Sequence, residues 1–170
     1  MKPGKFLLLA GISALGYATP ALCQETLPSV SVVATNYKYL KNVNGKEVAM
    51  PAQLLQHMAA SYDIKNSDYY EEVYDTYFIS FYLPDGEILA AYDKDGKLIR
   101  TAEKYKNVTL PSAVTKAVVA RFPNWSISKD AYLVNYFGEN GGQATKKYKL
   151  VLQNGSKRLR VQVDENGNIS

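Results

Sequence analysis

Lys147-Tyr148-Lys149-Leu150-Val151-Leu152-Gln153-Asn154-Gly155-Ser156-Lys157-Arg158-Leu159-Arg160-Val161-Gln162-Val163-Asp164 is the stretch that decides the fold class. Tyr148, Leu150 and Leu152 alternate with Lys147, Lys149 and Val151. Leu159, Val161 and Val163 alternate with Arg158, Arg160 and Gln162. A period of two belongs to a half-buried strand. Asn154-Gly155 between the runs predicts a two-residue type I′ turn, whose central positions both need positive φ. With those residues in the turn, Leu150 faces Leu159 and Lys149 faces Arg160, and every apolar partner lands on one face.

The same grammar occurs upstream. Ile79, Phe81 and Leu83 alternate with Phe78, Ser80 and Tyr82; Pro84-Asp85-Gly86 turns the chain, and Ile88, Ala90 and Tyr92 return. Asp93-Lys94-Asp95-Gly96 then makes a second turn, as Asp164-Glu165-Asn166-Gly167 does near the end, and residues 97–105 read as a further strand. An additional strand is matched between Asp68-Tyr69-Tyr70 and Asp130-Ala131-Tyr132, and residues 138–145 read as a longer loop in the second half.

Each strand set follows a helix. Residues 50–62 superpose on residues 110–122: both start apolar-Pro, which suits a first helical turn, and both end on an aromatic ring. Leu54, Met58 and Tyr62 in one copy, and Val114, Val118 and Phe122 in the other, recur at i, i+4, i+8 and predict the buried stripes. One apolar sheet face and two apolar helix stripes are complementary. The expected fold is therefore α+β: two helix-plus-antiparallel-strand repeats, residues 50–109 and 110–170, forming one sheet with helices on one face. Residues 24–49, with Asn44-Gly45, are expected to add at most an edge hairpin.

Residues 1–23 read as a secretory signal: Lys2 and Lys5, an apolar run, then Ala21 and Cys23 at −3 and −1 of a cut before Gln24. The run is too short to span a membrane, and no later stretch approaches that length. Leu22 directly before Cys23 argues against a lipid anchor on that thiol. The expectation is a periplasmic or secreted chain, not transmembrane, with no cysteine after the cut. Losing Lys2 and Lys5 lowers 20 cations against 16 anions to 18 against 16, which removes the electrostatic case for nucleic acid.

Asp93-Lys94-Asp95-Gly96-Lys97-Leu98-Ile99, then Leu110-Pro111, Val114, Ala117-Val118, Phe122-Pro123 and the closing Asp164-Glu165-Asn166-Gly167-Asn168 resemble, in order and spacing, the PepSY-like family. Its members are also described as β-lactamase-inhibitor-like. The resemblance is best over residues 85–169. It implies small exported bacterial proteins, many from Bacteroidetes, with a helix packed on a curved antiparallel sheet, and relatives that bind or inhibit other proteins and catalyse nothing. It carries over no site residue.

Chemistry is sparse. His57 is the sole histidine and has no nucleophile or carboxylate at a suggestive spacing, so neither catalysis nor zinc is expected. Asp93-Lys94-Asp95-Gly96 lacks the distal glutamate of a calcium loop, and Gly138-Glu139-Asn140-Gly141-Gly142 opens no helix that could cradle phosphate. No enzyme activity, metal or cofactor is expected. Two surface features remain. Lys146, Lys147, Lys149, Lys157, Arg158 and Arg160 form a stretch without acids, whose repulsion is expected to be offset by solvent screening or by Asp68, Glu71, Glu72 and Asp75 nearby in the sheet; the sharper reading is an anionic partner surface. Tyr70, Tyr74, Phe78 and Tyr82 are expected on the face opposite Ile79, Phe81 and Leu83. Tyrosine with basic residues is the composition of protein-binding surfaces. The candidate site is thus Lys147, Lys149, Arg158, Arg160, Tyr74, Phe78 and Tyr82, and the expected partner an envelope or extracellular protein. A small ligand held in a pocket between helices and sheet is the alternative.

Overall fold

Residues 36–45 and 48–170 are described by a computed structural model. Three helices, α1 (Tyr37–Val43), α2 (Met50–Ser61) and α3 (Ser112–Arg121), accompany six strands: β1 (Thr76–Leu83), β2 (Gly86–Asp93), β3 (Leu98–Lys106), β4 (Ser126–Phe137), β5 (Gln143–Asn154) and β6 (Lys157–Asp164). All six strands pair antiparallel in chain order, β1-β2-β3-β4-β5-β6. Each helix precedes or flanks strands that it covers on a single side. The class is α+β, as the alternating patterns require. The signal-like residues 1–23, with Cys23, and residues 24–35 lie outside the described residues.

The core lies between that one sheet face and the helices. A row of rings crosses its middle: Tyr105, Tyr132 and Tyr148 stack at 5.9 and 4.7 Å between centroids. They occupy directly opposed positions on β3, β4 and β5. Offset stacking of this kind adds about 0.5–1.5 kcal/mol per pair beyond area burial. Tyr39 of α1 meets Tyr136 of β4 edge-on at 5.1 Å. The next position in the row is Gly86, where a Cβ would lie 2.9 Å from both Leu55 Cδ1 and Tyr105 Cδ1. Glycine there lets α2 seat Leu55 directly on the sheet.

Several expectations need correction. The described part of the 24–49 segment is a helix rather than an edge hairpin, and Asn44 ends it, its N–H bonding Leu40 O at 2.9 Å. Asp68 and Tyr69 form a turn and Tyr70 is irregular, so no strand lies there, and β5 begins at Gln143, earlier than the expected loop end. In α2 the buried face is Ala52, Leu55, Gln56, Ala59 and Ala60, whereas Leu54 and Met58 are exposed. Gly86 of β2 leaves room for Leu55 on the sheet and Gln56 turns inward to bond Glu103, so the face that bears Leu54 and Met58 turns outward. In α3 the buried pair is Val114 and Val118, with Phe122 partly buried against the core.

The β5–β6 hairpin differs in register. Asn154 pairs with Lys157, so the turn is Gly155-Ser156, with Gly155 at φ 58°. A glycine-first pair suits a type II′ turn. Leu150 therefore faces Val161, and Lys149 faces Gln162 rather than Arg160. The change moves each partner by two residues, so every side chain keeps its predicted face.

The Asp93 and Asp164 turns are built alike. Asp93 Oδ1 accepts the N–H groups of Asp95 and Lys97 at 3.0 and 2.9 Å. Asp164 Oδ1 accepts those of Asn166 and Asn168, both at 2.9 Å. Gly96 and Gly167 follow at φ 81° and 90°, a region that costs a non-glycine residue strain.

Candidate functional site

The second sheet face is turned away from all three helices. Strand alternation puts Phe78, Ser80 and Tyr82 of β1 there, with Leu89 of β2, Arg100 and Lys104 of β3, Leu133 and Phe137 of β4, Lys147 and Lys149 of β5, and Arg158 and Arg160 of β6. Among the described residues nothing covers it. Phe78 and Tyr82 are each 67% exposed, Leu89 46% and Phe137 43%. Isolated exposed apolar residues are ordinary; these share one side of the sheet, Phe78, Tyr82 and Leu89 on β1 and β2 and Phe137 on β4. Arg100 lies over the Phe137 ring at 5.0 Å, across β3 and β4 in the middle of the face.

The site residues expected from sequence divide. Lys147, Lys149, Arg158, Arg160, Phe78 and Tyr82 share this face. Tyr74 does not: it precedes β1 and packs edge-on against Tyr77, at 6.4 Å between centroids, whose ring belongs to the core side. Tyr70 stacks on Tyr77 at 5.4 Å and is likewise off the face. Even on the face, the aromatic and basic groups are at opposite edges. Tyr82 and Lys147 occupy one cross-strand row four strands apart, about 19 Å at the usual strand spacing.

The basic end is also more cationic than expected. Lys106, Ala131, Lys149 and Gln162 form one row, and Lys129, Val151 and Arg160 the next. Together they line a concavity of about 630 Å³, with Lys106, Lys129, Lys149 and Arg160 around an Ala131 and Val151 floor. Asp130 also borders it, with Oδ2 accepting the Val108 N–H at 2.9 Å. Lys106 and Lys129 come from β3 and β4 and were missed. The signal was present, because period-two alternation in register with β5 puts both on the face of Lys149. Asp68, Glu71, Glu72 and Asp75 cannot offset this charge: they lie in the segment before β1, at the far edge of the sheet. Among the described residues no ion pair involves Lys147, Lys149, Arg158 or Arg160; Lys104 meets Glu87 at 3.3 Å and Lys146 meets Glu165 at 3.4 Å.

A buried polar cluster also went unforeseen. Glu103 of β3 is 4% exposed and points into the core. Its Oε1 accepts Tyr39 Oη at 2.8 Å and Thr101 Oγ1 at 2.7 Å. Its Oε2 accepts Gln56 Nε2 and Tyr105 Oη, each at 2.8 Å. Four donors converge on one carboxyl group, the arrangement an acceptor-only carboxylate requires. Burial, and then the Glu103 charge, push the Tyr39 and Tyr105 hydroxyls far above their ordinary value; burial, then Tyr148, does the same to Tyr132. Among the described residues no buried side-chain polar atom lacks a partner. The cluster ties α1, α2 and β3 together.

His57 is exposed on α2, where it borders an apolar concavity of about 670 Å³ with Met50, Leu54 and Leu83. Among the described residues no group of three or more His, Cys, Asp or Glu side chains could hold a metal ion, and no helix is long and apolar enough to cross a membrane. Comparison with family models, with curated proteins and with solved structures finds no match.

Proposed function

We propose that this chain is a non-enzymatic binding module that engages a protein partner through its uncovered sheet face. The observation that carries the reading is the face itself: a six-strand surface with exposed Phe78, Tyr82 and Leu89 on β1 and β2, Phe137 on β4, and Lys147, Lys149, Arg158 and Arg160 on β5 and β6, in no ion pair among the described residues. Aromatic rings supply buried area once covered, and a basic rim selects an acidic partner surface and speeds encounter. The alternative of a small ligand between helices and sheet has less support. That space is filled by the tyrosine row, Leu55, Ile88 and the Glu103 cluster. The resemblance of residues 85–169 to PepSY-like proteins supports the non-catalytic reading and export to the periplasm or beyond. The matched Asp93 and Asp164 turns support an origin of the two halves as a repeat.

The test is affinity capture with the full chain against an envelope extract. Two variants accompany it: Lys149→Glu with Arg160→Glu, and Phe78→Ser with Tyr82→Ser. A saturable protein lost in either variant supports the face. A protein retained by both refutes it.

A further inference from the structure

β1 is the outermost strand of the sheet, and among the described residues nothing pairs with its free side. The two-residue turn at 84–85 makes Leu83 and Gly86 the hydrogen-bonded closing pair of the β1–β2 hairpin, and such pairs recur at every second residue. The odd-numbered residues of β1 therefore bond to β2. Thr76, Phe78, Ser80 and Tyr82 aim their backbone N–H and C=O groups at the open edge.

Natural edges are ordinarily blunted by charges, proline or a bulge. β1 reads Thr-Tyr-Phe-Ile-Ser-Phe-Tyr-Leu in regular register and has none of these. The opposite edge is protected: β6 carries Lys157, Arg158 and Arg160, and Ser170 exchanges two backbone hydrogen bonds with Gln162 at 2.9 and 3.3 Å. A groove of about 640 Å³ runs beside the β1 edge, lined by residues 76–81 and walled by Tyr62, Tyr69 and Tyr74. Tyr69 and Tyr74 belong to the segment that also bears Asp68, Glu71, Glu72 and Asp75, all exposed. Among the described residues only Asp75 has a cation near it, Lys94 at 4.0 Å.

We propose that the β1 edge is a strand-addition site that takes an extended basic segment of a partner protein. Main-chain bonds to Phe78, Ser80 and Tyr82 supply the affinity, the tyrosine walls accept apolar side chains, and the carboxylates select lysine or arginine. The site uses the backbone of Phe78, Ser80 and Tyr82, whose side chains border the open face, and its test reads that backbone rather than the face.

The test titrates the full chain with two capped octapeptides, one of alternating valine and lysine and one of alternating valine and glutamate, and follows backbone amide exchange in β1. The lysine peptide should bind saturably and slow exchange at Phe78, Ser80 and Tyr82, with the glutamate peptide at least tenfold weaker. Ser80→Pro removes an outward N–H at an edge position where proline is tolerated. It should weaken binding at least tenfold, whereas Ser80→Ala should not. Should Ser80→Pro fail to fold, the triple reversal Glu71→Lys, Glu72→Lys, Asp75→Lys decides instead: it should exchange the preference between the two peptides. Absence of binding, equal binding of both peptides, binding that leaves β1 exchange unchanged, or a β1-mediated dimer that excludes peptide would each overturn the proposal.

Discussion

Glu103→Gln replaces one carboxyl oxygen by an amide nitrogen in the most constrained polar site of the core. The amide can sit two ways. With its NH₂ in the place of Oε2 it opposes the Gln56 N–H, 2.8 Å away. Turned over, its oxygen accepts from Gln56 and Tyr105, and its NH₂ meets the Tyr39 and Thr101 hydroxyls, which rotate to accept. The second orientation opposes no pair of donors, so the expected loss is that of charge-assisted bonding, about 1.5–3 kcal/mol, a sizeable part of the roughly 5–15 kcal/mol that holds a typical domain. In urea, with a slope of about 2 kcal/mol/M, the midpoint should fall by roughly 0.75–1.5 M. Exchanging the two residues, Glu103→Gln with Gln56→Glu, returns a carboxylate acceptor to the cluster and should recover at least half of the loss. A midpoint unchanged within about 0.3 M for Glu103→Gln, well below that expected fall, would refute the claim that the four donors depend on a carboxylate. Strict additivity in the double mutant would refute the pairing of Gln56 with it.

Three further outcomes follow from the same structure. Tyr39, Tyr92, Tyr105 and Tyr132 have hydroxyls raised by burial, so the unfolded chain loses their protons first as pH rises past about 10. Stability is full below that value and should then fall by about 1.4 kcal/mol per pH unit for each tyrosine, so that denaturant midpoints drop steeply between about pH 10 and 12; a flat alkaline limb would contradict the buried row. Asp164 is held below the ordinary carboxylate range, first by the Asn168 side-chain bond and then by turn N–H groups. Its contribution is present above the ordinary value and lost as pH falls through the lowered one, so amide exchange at Asn166 and Asn168 should quicken in acid before the sheet melts. Gly86→Ala puts a methyl group 2.9 Å from Leu55 and Tyr105 and should cost about 1–3 kcal/mol in urea melts; a neutral result would show that α2 can lift from β2.

Strand identity, faces and turns were legible because period-two alternation survives small errors of register. Moving the 154–157 turn by one residue changed every β6 partner of β5 yet turned no side chain over. Helix burial was less legible. Ranking α2 by hydrophobicity selects Leu54 and Met58, whereas the room that Gly86 leaves for Leu55 selects the face of Ala52, Leu55 and Ala59. Burial of Gln56 has its reason 47 residues away, at Glu103. The candidate site was half legible for a related reason: alternation predicts the side of the sheet a residue occupies, while strand order decides how far apart two such residues lie. Phe78 and Lys149 share a side, yet three strands intervene.

The proposed binding surface is the uncovered sheet face. The most direct measurement is photo-crosslinking in the source cells from a reactive residue at position 78 or 149 on that face, with position 58 on the exposed side of α2 as comparison. One shared adduct is expected from 78 and 149 and none from 58. Adducts from 58 alone, or from none of the three, would contradict it.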